Sequence, residues 1–547
     1  MIDNAALEKP NLIVLPEFIN HSSWYKDKAH NFSVAVDING SFLSKIADKA
    51  RQHNMYIVVN CTVKRDSNKV TGTNLMYDPG GSLVAQSDKQ VLMGNENNFL
   101  EPAVSLGPVV DTQIGRVGMF SCMDGVMYET PRCISLRNAQ IMCNTLNSFA
   151  NDEASLHIPV RAAENKVFVI AANKSGPLVP EEARNAVAEK LKINPDQLNG
   201  AGESQIVDPL GNILAKAPVD GEHIITAEIN IELANNKHRP DNTNIFSARR
   251  PELYTPISMP PQSRNRTTQI DELKVATLQP KKDQTNSEIK TEILKNITTA
   301  SENGVELIVL PELSQFNSSN IDNNIEQAVT DSKDFVFNIS KNLKHSQCKV
   351  VTSIVSKLKT DEYAHAGVLI DKTGIILQQN QLHNCGRHTW ANNLGQQIHT
   401  IDLQWGRLGI ITGGDSIFPE IFRLFALQDV DALAVTTKII EKWEFDFGLK
   451  ERAAENRISL IVGSFASDIA SSLIIAPDKD FTLWTEWERP FDGSINEPKT
   501  IIANKEKSLT YGTINPSAAN NRIVTLKTDV VSNRPWTLLE PLTKLKN

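Results

Sequence analysis

The sequence predicts an α/β protein of two tandem domains. Three observations carry this prediction. Short apolar runs of strand length alternate with helix-patterned stretches along all 547 residues. A set of short motifs occurs twice: positions 122 and 164 recur at 413 and 455, an offset of 291 in both cases. A period that long marks duplication of a whole domain and not a solenoid repeat. The composition, 40% hydrophobic and 22% charged with a net charge of -8, lets each half build its own core.

In the first half, Asn11-Leu12-Ile13-Val14-Leu15-Pro16-Glu17 reads as a hydrophobic strand ended by proline, with a carboxylate just past it. Asp88 to Glu96 holds Lys89 and, seven residues on, the carboxylate of Glu96. Val117 to Phe120 reads as a buried strand that stops at Cys122, and Asp124-Gly125 follows as turn chemistry. Met127 through Asn138 has helical composition. A cysteine at such an elbow faces a helix N-terminus, whose dipole and free N–H groups favour the thiolate. Cys133 and Cys143 lie in a helix-like and a strand-like stretch and read as inert core residues. Glu17, Lys89 and Cys122, in that order, suggest a cysteine nucleophile, a carboxylate base and a cationic stabiliser.

On these residues the sequence resembles the nitrilase superfamily, the carbon-nitrogen hydrolases. Three further pieces match that family's pattern. They are Arg161-Ala162-Ala163-Glu164-Asn165, Gly202-Glu203-Ser204 leading to Asp208-Pro209-Leu210-Gly211, and Arg249-Arg250-Pro251-Glu252-Leu253-Tyr254. The resemblance implies an α-β-β-α sandwich in each half. It implies that Cys122 attacks the substrate carbon and forms a thioester while Glu17 carries the protons. Lys89 and the backbone N–H of Met123 would face the oxyanion, and Glu96 would hold Lys89 and the substrate nitrogen. Arg161 and Glu164 read as a structural pair. Met123-Asp124 after the cysteine leans toward an amide or N-carbamoyl substrate, whereas the family's nitrilases show Trp-Glu there. Val126 stands where amidase-like members often carry an arginine. A nitrilase or acyltransferase with the same site, and a non-catalytic binding or scaffold protein, stand as alternatives.

The second half opens with a strand at Lys274 to Leu278 and a helix across Glu288 to Ala300. Glu306 to Glu312 repeats the first motif, and further strands fall at 349–352, 366–370 and 400–403. Gly406 to Asp415 repeats the elbow with Gly413 in place of Cys122. Gln378 to His383 offers no lysine. This half therefore reads as inactive, and Cys385 matches no elbow that would make it a substitute nucleophile. The expected division is a catalytic domain at 1–258, a linker at 259–270 and an inactive domain at 271–547. The prolines between Tyr254 and Thr267 suit an exposed linker. From Lys274 to Glu312 there are 38 residues, against 16 from Met1 to Glu17. The first domain is thus expected to lack its first strand and most of its first helix, through a truncated or misassigned start. It carries about 23 extra residues after Asn173, a stretch over 176–198 with a helix from Ala183 to Leu191 that borders the pocket or forms a surface excursion. Family members pair across one sandwich face, so the resemblance implies that the halves form a built-in dimer, with further homo-oligomerisation open.

No apolar run approaches the ~18 residues of a membrane helix. The N-terminus shows no signal pattern. Six cysteines without regular spacing point to a reducing compartment, and the expected location is cytoplasmic. Without CxxC or clustered histidines, no metal or other cofactor is expected. A pI of about 5.8 argues against nucleic acid. The expected partner is a small-molecule substrate.

Overall fold

The computed structural model describes residues 1–281, 284–317 and 321–544. Each half is a pair of β-sheets packed face to face with helices outside. In the first half, β1 (Leu12–Val14), β2 (Tyr56–Lys64), β3 (Val70–Tyr77) and β4 (Leu83–Asp88) form one sheet in that order. The other sheet contains β5 (Val110–Thr112), β6 (Gly115–Ser121), β7 (Ile141–Leu146) and β8 (Phe168–Asn173), then Gln205–Val207 and Ile213–Lys216. Strands β6, β7 and β8 run parallel and are covered on both faces, so Val117 to Phe120 is continuously apolar. Val58 and Met76 meet Val117, Met119 and Cys143 between the sheets. Outward, Ile57, Val59 and Leu75 pack on Leu43, Ile46 and Ala50 of the helix Ser41–His53. Phe120, Met142 and Val169 pack on Ile134 and Ile158 of two further helices. This is the α-β-β-α layering that the resemblance implied.

The second half repeats the layers with two six-stranded sheets. The difference lies in the first sheet. There, Leu307–Val309 sits between Lys349–Lys359 and Leu273–Leu278, and Leu509–Ile514 lies beyond. Its counterpart β1 pairs only with β2 and is partly exposed throughout, whereas Leu307, Ile308 and Val309 are buried. Residues 224–230 alternate in exposure as a strand would, yet join no sheet among the described residues.

Most of the stretch from Tyr254 to Thr267 is exposed, as a linker would be, yet it is anchored at several points. Tyr254 and Ile257 are fully buried. The Tyr254 hydroxyl donates to His383 Nε2 at 2.5 Å, while His383 Nδ1 lies 2.8 Å from Asp415 Oδ1. Further on, Arg266 Nη1 and Thr268 Oγ1 reach Asp431 Oδ2 at 2.9 and 2.8 Å. A ring with a hydroxyl partner gains more buried than solvated, so this connector is strapped to the second half. Among the described residues no helix is long and apolar enough to cross a membrane.

Candidate active site

Three strand ends deliver the residues singled out in the sequence to one place. Past β1 the chain turns at Pro16, and Glu17 N–H donates to Leu146 O at 3.1 Å. Phe18 follows with φ +51, held by a bond from its N–H to Asn60 Oδ1 at 3.0 Å. A bulky residue in the left-handed region is strained, and such strain gathers at functional sites. Glu17 is 1% exposed. Lys89 leaves β4, and its Nζ donates to Glu17 Oε1 at 2.9 Å and to Glu96 Oε1 at 2.8 Å. Glu96 Oε2 accepts from Met93 N–H at 2.8 Å, which fixes that carboxylate. Cys122 ends β6 with φ 44 and ψ −109, and the four-residue helix Met123–Val126 begins beside it. Its N–H bonds Thr145 O at 2.9 Å. Met123 is buried. Glu17 Oε2 is buried without a partner among the described residues.

The electrostatics correct one expectation. The elbow was read as favouring a thiolate, but burial and the Glu17 carboxylate push the Cys122 thiol well above its ordinary range, against the pull of Lys89. One turn of helix cannot outweigh a desolvated carboxylate close by. Burial likewise pushes Glu17 up to about 7, against Lys89. Burial alone would lower Lys89, yet Glu17 and Glu96 hold its ammonium well above the usual lysine range. The resting arrangement is therefore a protonated thiol, a carboxyl near neutrality and a fixed cation.

Two residues position the elbow. The Asp124 carboxylate accepts from Gln90 N–H at 3.0 Å, Val91 N–H at 2.8 Å and Ser121 N–H at 3.3 Å. It thus ties the segment after Lys89 to the turn after Cys122. The sequence reading took Asp124 only as turn chemistry and a substrate hint. The repeat held the missed signal: Asp415, its counterpart, makes the same bonds to Leu382 and His383 N–H at 2.8 and 2.9 Å. Arg161 Nε and Nη2 donate to Gly125 O and Val126 O at 2.8 and 3.0 Å, while Nη1 holds Glu164 Oε1 at 2.8 Å.

The second half shows what replaced the set. Lys89 N–H bonds Gly72 O, and Gln381 N–H bonds His365 O in the same register. Gln381 thus stands at the lysine position and His388, seven residues on, at that of Glu96. Gln381 Oε1 and the His365 ring fill the space beside Gly413: a Cβ there would meet them at 2.6 and 2.7 Å. Glu312 is held by Arg387 through two bonds, at 2.8 and 3.0 Å. Burial opposes its ionisation, but Arg387 and His388 hold its carboxyl well below the usual range. An arginine has thus taken over the cation's place, neutralising Glu312 as a base. Cys385 is buried beside Gly414 and Asp241 Oδ2, the latter 3.6 Å from its sulfur. Among the described residues no cluster of His, Cys, Asp and Glu is arranged to hold a metal ion.

Comparison with known proteins gives the family. The carbon-nitrogen hydrolase model matches residues 1–239 and again 274–481. A nitrilase of Pyrococcus abyssi is 28% identical over 255 residues, covering 46% of this chain and 90% of its own length. Bovine omega-amidase NIT2 is 25% identical over 271 residues, 46% of this chain and 88% of the relative. The nitrilase and fragile histidine triad fusion protein NitFhit of Caenorhabditis elegans is 26% identical, and the chain spans 57% of its length. The solved structure of that protein covers 43% of this chain and 56% of its own, with 24% identity and a TM-score of 0.36. The chain belongs to the carbon-nitrogen hydrolase family and carries that family's domain twice.

Proposed function

We propose that the first half hydrolyses a linear amide or N-carbamoyl compound through a thioester on Cys122. The observation that carries this reading is the buried Lys89 ammonium held between Glu17 and Glu96 at 2.9 and 2.8 Å, beside the Cys122 elbow. Cys122 Sγ attacks the amide carbon as Glu17 takes the thiol proton. Lys89, with Met123 N–H, stabilises the oxyanion, and Glu96 keeps the ammonium in place. Collapse breaks the C–N bond, and Glu17 returns the proton to the departing amine. Water, deprotonated by Glu17, then adds to the thioester; the C–S bond breaks and the thiol regains its proton. A carboxyl near pH 7 suits both directions of transfer. The relatives include both nitrilases and amidases, and it is Met123-Asp124 after the cysteine, in place of Trp-Glu, that favours an amide over a nitrile. The test is ammonia release from a panel of amides, nitriles and N-carbamoyl compounds, with mass spectrometry of the acyl adduct. Turnover is expected for amides and absent in Cys122→Ala; a folded Cys122→Ala protein that keeps activity sinks the mechanism.

We further propose that the second half is a built-in dimer partner and supplies no chemistry of its own. Reciprocal ion pairs support this reading: Arg423 Nε to Glu129 at 2.7 Å and Arg132 Nε to Glu420 at 3.0 Å, positions that correspond at the 291-residue offset. Such exchange is the signature of a two-fold interface. A compact particle is expected by small-angle scattering, and separately tumbling halves would rule the pairing out. With six unpaired cysteines, four of them with thiols raised to about 12 by burial, the chain suits a reducing, cytoplasmic setting.

A further inference from the structure

Two excursions from the duplicated plan meet each other. The first half inserts 174–204 between β8 and Gln205–Val207, with a helix at Glu181–Leu191. The second half inserts 477–498 between Leu473–Ala476 and Lys499–Ile502, where the first half has only 208–212. Gln197 Nε2 donates to Phe491 O at 2.8 Å, and Lys192 pairs with Glu486. Between the excursions lies a cavity of about 320 Å3 whose apolar wall is Phe149, Ile193, Leu483, Trp484, Trp487 and Phe491, with Lys192, Glu488 and Arg489 also lining it. Ring centroids of Trp487 and Phe491 lie 5.3 Å apart, and those of Phe149 and Phe491 6.1 Å, both edge to face. Trp487 Nε1 donates to Thr482 O at 2.8 Å, so the ring is fixed. Trp484 adopts φ +68, a conformation a bulky residue takes only at a cost and one that gathers at ligand clamps.

Both walls are rooted beside the candidate active site. Thr145 O and Leu146 O accept the backbone N–H groups of Cys122 and Glu17. Phe149 comes three residues later, within about 11 Å of Leu146 along the chain. The same loop is pinned to the second excursion, with Asn151 N–H to Gly493 O at 2.8 Å and Ile495 N–H to Asp152 Oδ2 at 3.2 Å. On the other side, Lys174 stands at the root of the first excursion and donates to Phe18 O at 3.2 Å, next to Glu17.

We propose that this cavity receives the aryl end of the substrate, so that the chain acts on amides whose acyl chain carries a terminal aromatic ring. The proposal rests on the hydrolase reading of Cys122. The carbonyl must reach Cys122 while the ring lies beyond Phe149, which calls for a short alkyl spacer. Fixed Trp and Phe edges suit a planar ring better than a branched alkyl group. The second half, without Lys89 and Cys122 counterparts, thereby sets specificity for the first.

Full-length protein with Cys122→Ala lacks the nucleophile and isolates binding. Isothermal titration with 4-phenylbutyramide and with butyramide reads the contribution of the ring alone. The ring is expected to tighten binding by about tenfold or more. Trp484→Ala, or the milder Phe491→Leu, in the same background is expected to erase that advantage. Equal affinities for the two amides overturn the proposal. So does an advantage that survives both substitutions in proteins with unchanged circular dichroism. Ammonia release by the wild-type chain from the whole panel of amides, nitriles and N-carbamoyl compounds tests the hydrolase reading separately. Its absence sinks that reading, while the ring preference still decides the cavity.

Discussion

At the residue scale the pH profile follows from Glu17. As the base it must be ionised, and its carboxyl is raised to about 7. A base raised toward neutrality is lost on the acid side, so kcat/KM is expected to fall about tenfold per pH unit below 7 and to level off above it. A flat profile from pH 5 to 8 would assign the proton transfer to another group. Lys89 acts through charge fixed before the reaction begins. Lys89→Met is expected to lower kcat by about 10²–10³ with little change in KM. Steady-state kinetics on a short amide checks this; a raised KM at unchanged kcat would make Lys89 a binding residue only.

At the scale of single elements, the two elbows differ in more than one side chain. Gly413 has φ +56, and a Cβ there would sit 2.6 Å from Gln381 Oε1. Gly413→Cys is therefore expected to cost about 1–3 kcal/mol by overpacking and to restore no activity. Thermal melting and an amide assay read both outcomes together. The strands that lead to Glu17 and Glu312 also differ. Leu12–Val14 has one neighbour and is partly exposed, whereas Leu307–Val309 has two and is buried. Amide hydrogen exchange is expected to be faster at Leu12–Val14, since a strand with one ladder opens locally more easily. Equal protection of the two strands would refute this.

For the whole molecule, buried charge across the middle is the sensitive feature. Arg423 and Glu129 are both fully buried, and Arg161 faces Glu455 at 2.8 Å across the halves. Removing one partner leaves an uncompensated charge, so Arg423→Met is expected to cost about 3–5 kcal/mol. Arg423→Met with Glu129→Gln is expected to recover part of that loss, because neither group is then left charged and alone. Denaturant unfolding of the two single variants and the double variant checks the coupling; strictly additive losses would show that the pair is not a unit.

The sequence by itself determined the duplication, the strand-to-elbow run ending at Cys122, and the order Glu17, Lys89, Cys122. These are local patterns and chain intervals, and an apolar run or a repeat spacing keeps its meaning without neighbours. It also exposed the loss at Gly413. Tertiary structure decided which residue replaced Lys89. Gln381 is offset from it by 292 residues and not 291, a slip visible only once ladder bonds fix the register. Packing likewise placed Arg387 on Glu312, gave Asp124 its clamp between two segments, and held Cys122 as a thiol. Each of those depends on groups far away in the chain. Desolvation in particular has no sequence signature, because it is set by everything packed around a group. The meeting of 174–204 with 477–498 is of the same kind. The sequence left 176–198 either bordering the pocket or forming a surface excursion, and only the apposition of the halves makes it a cavity wall together with 477–498.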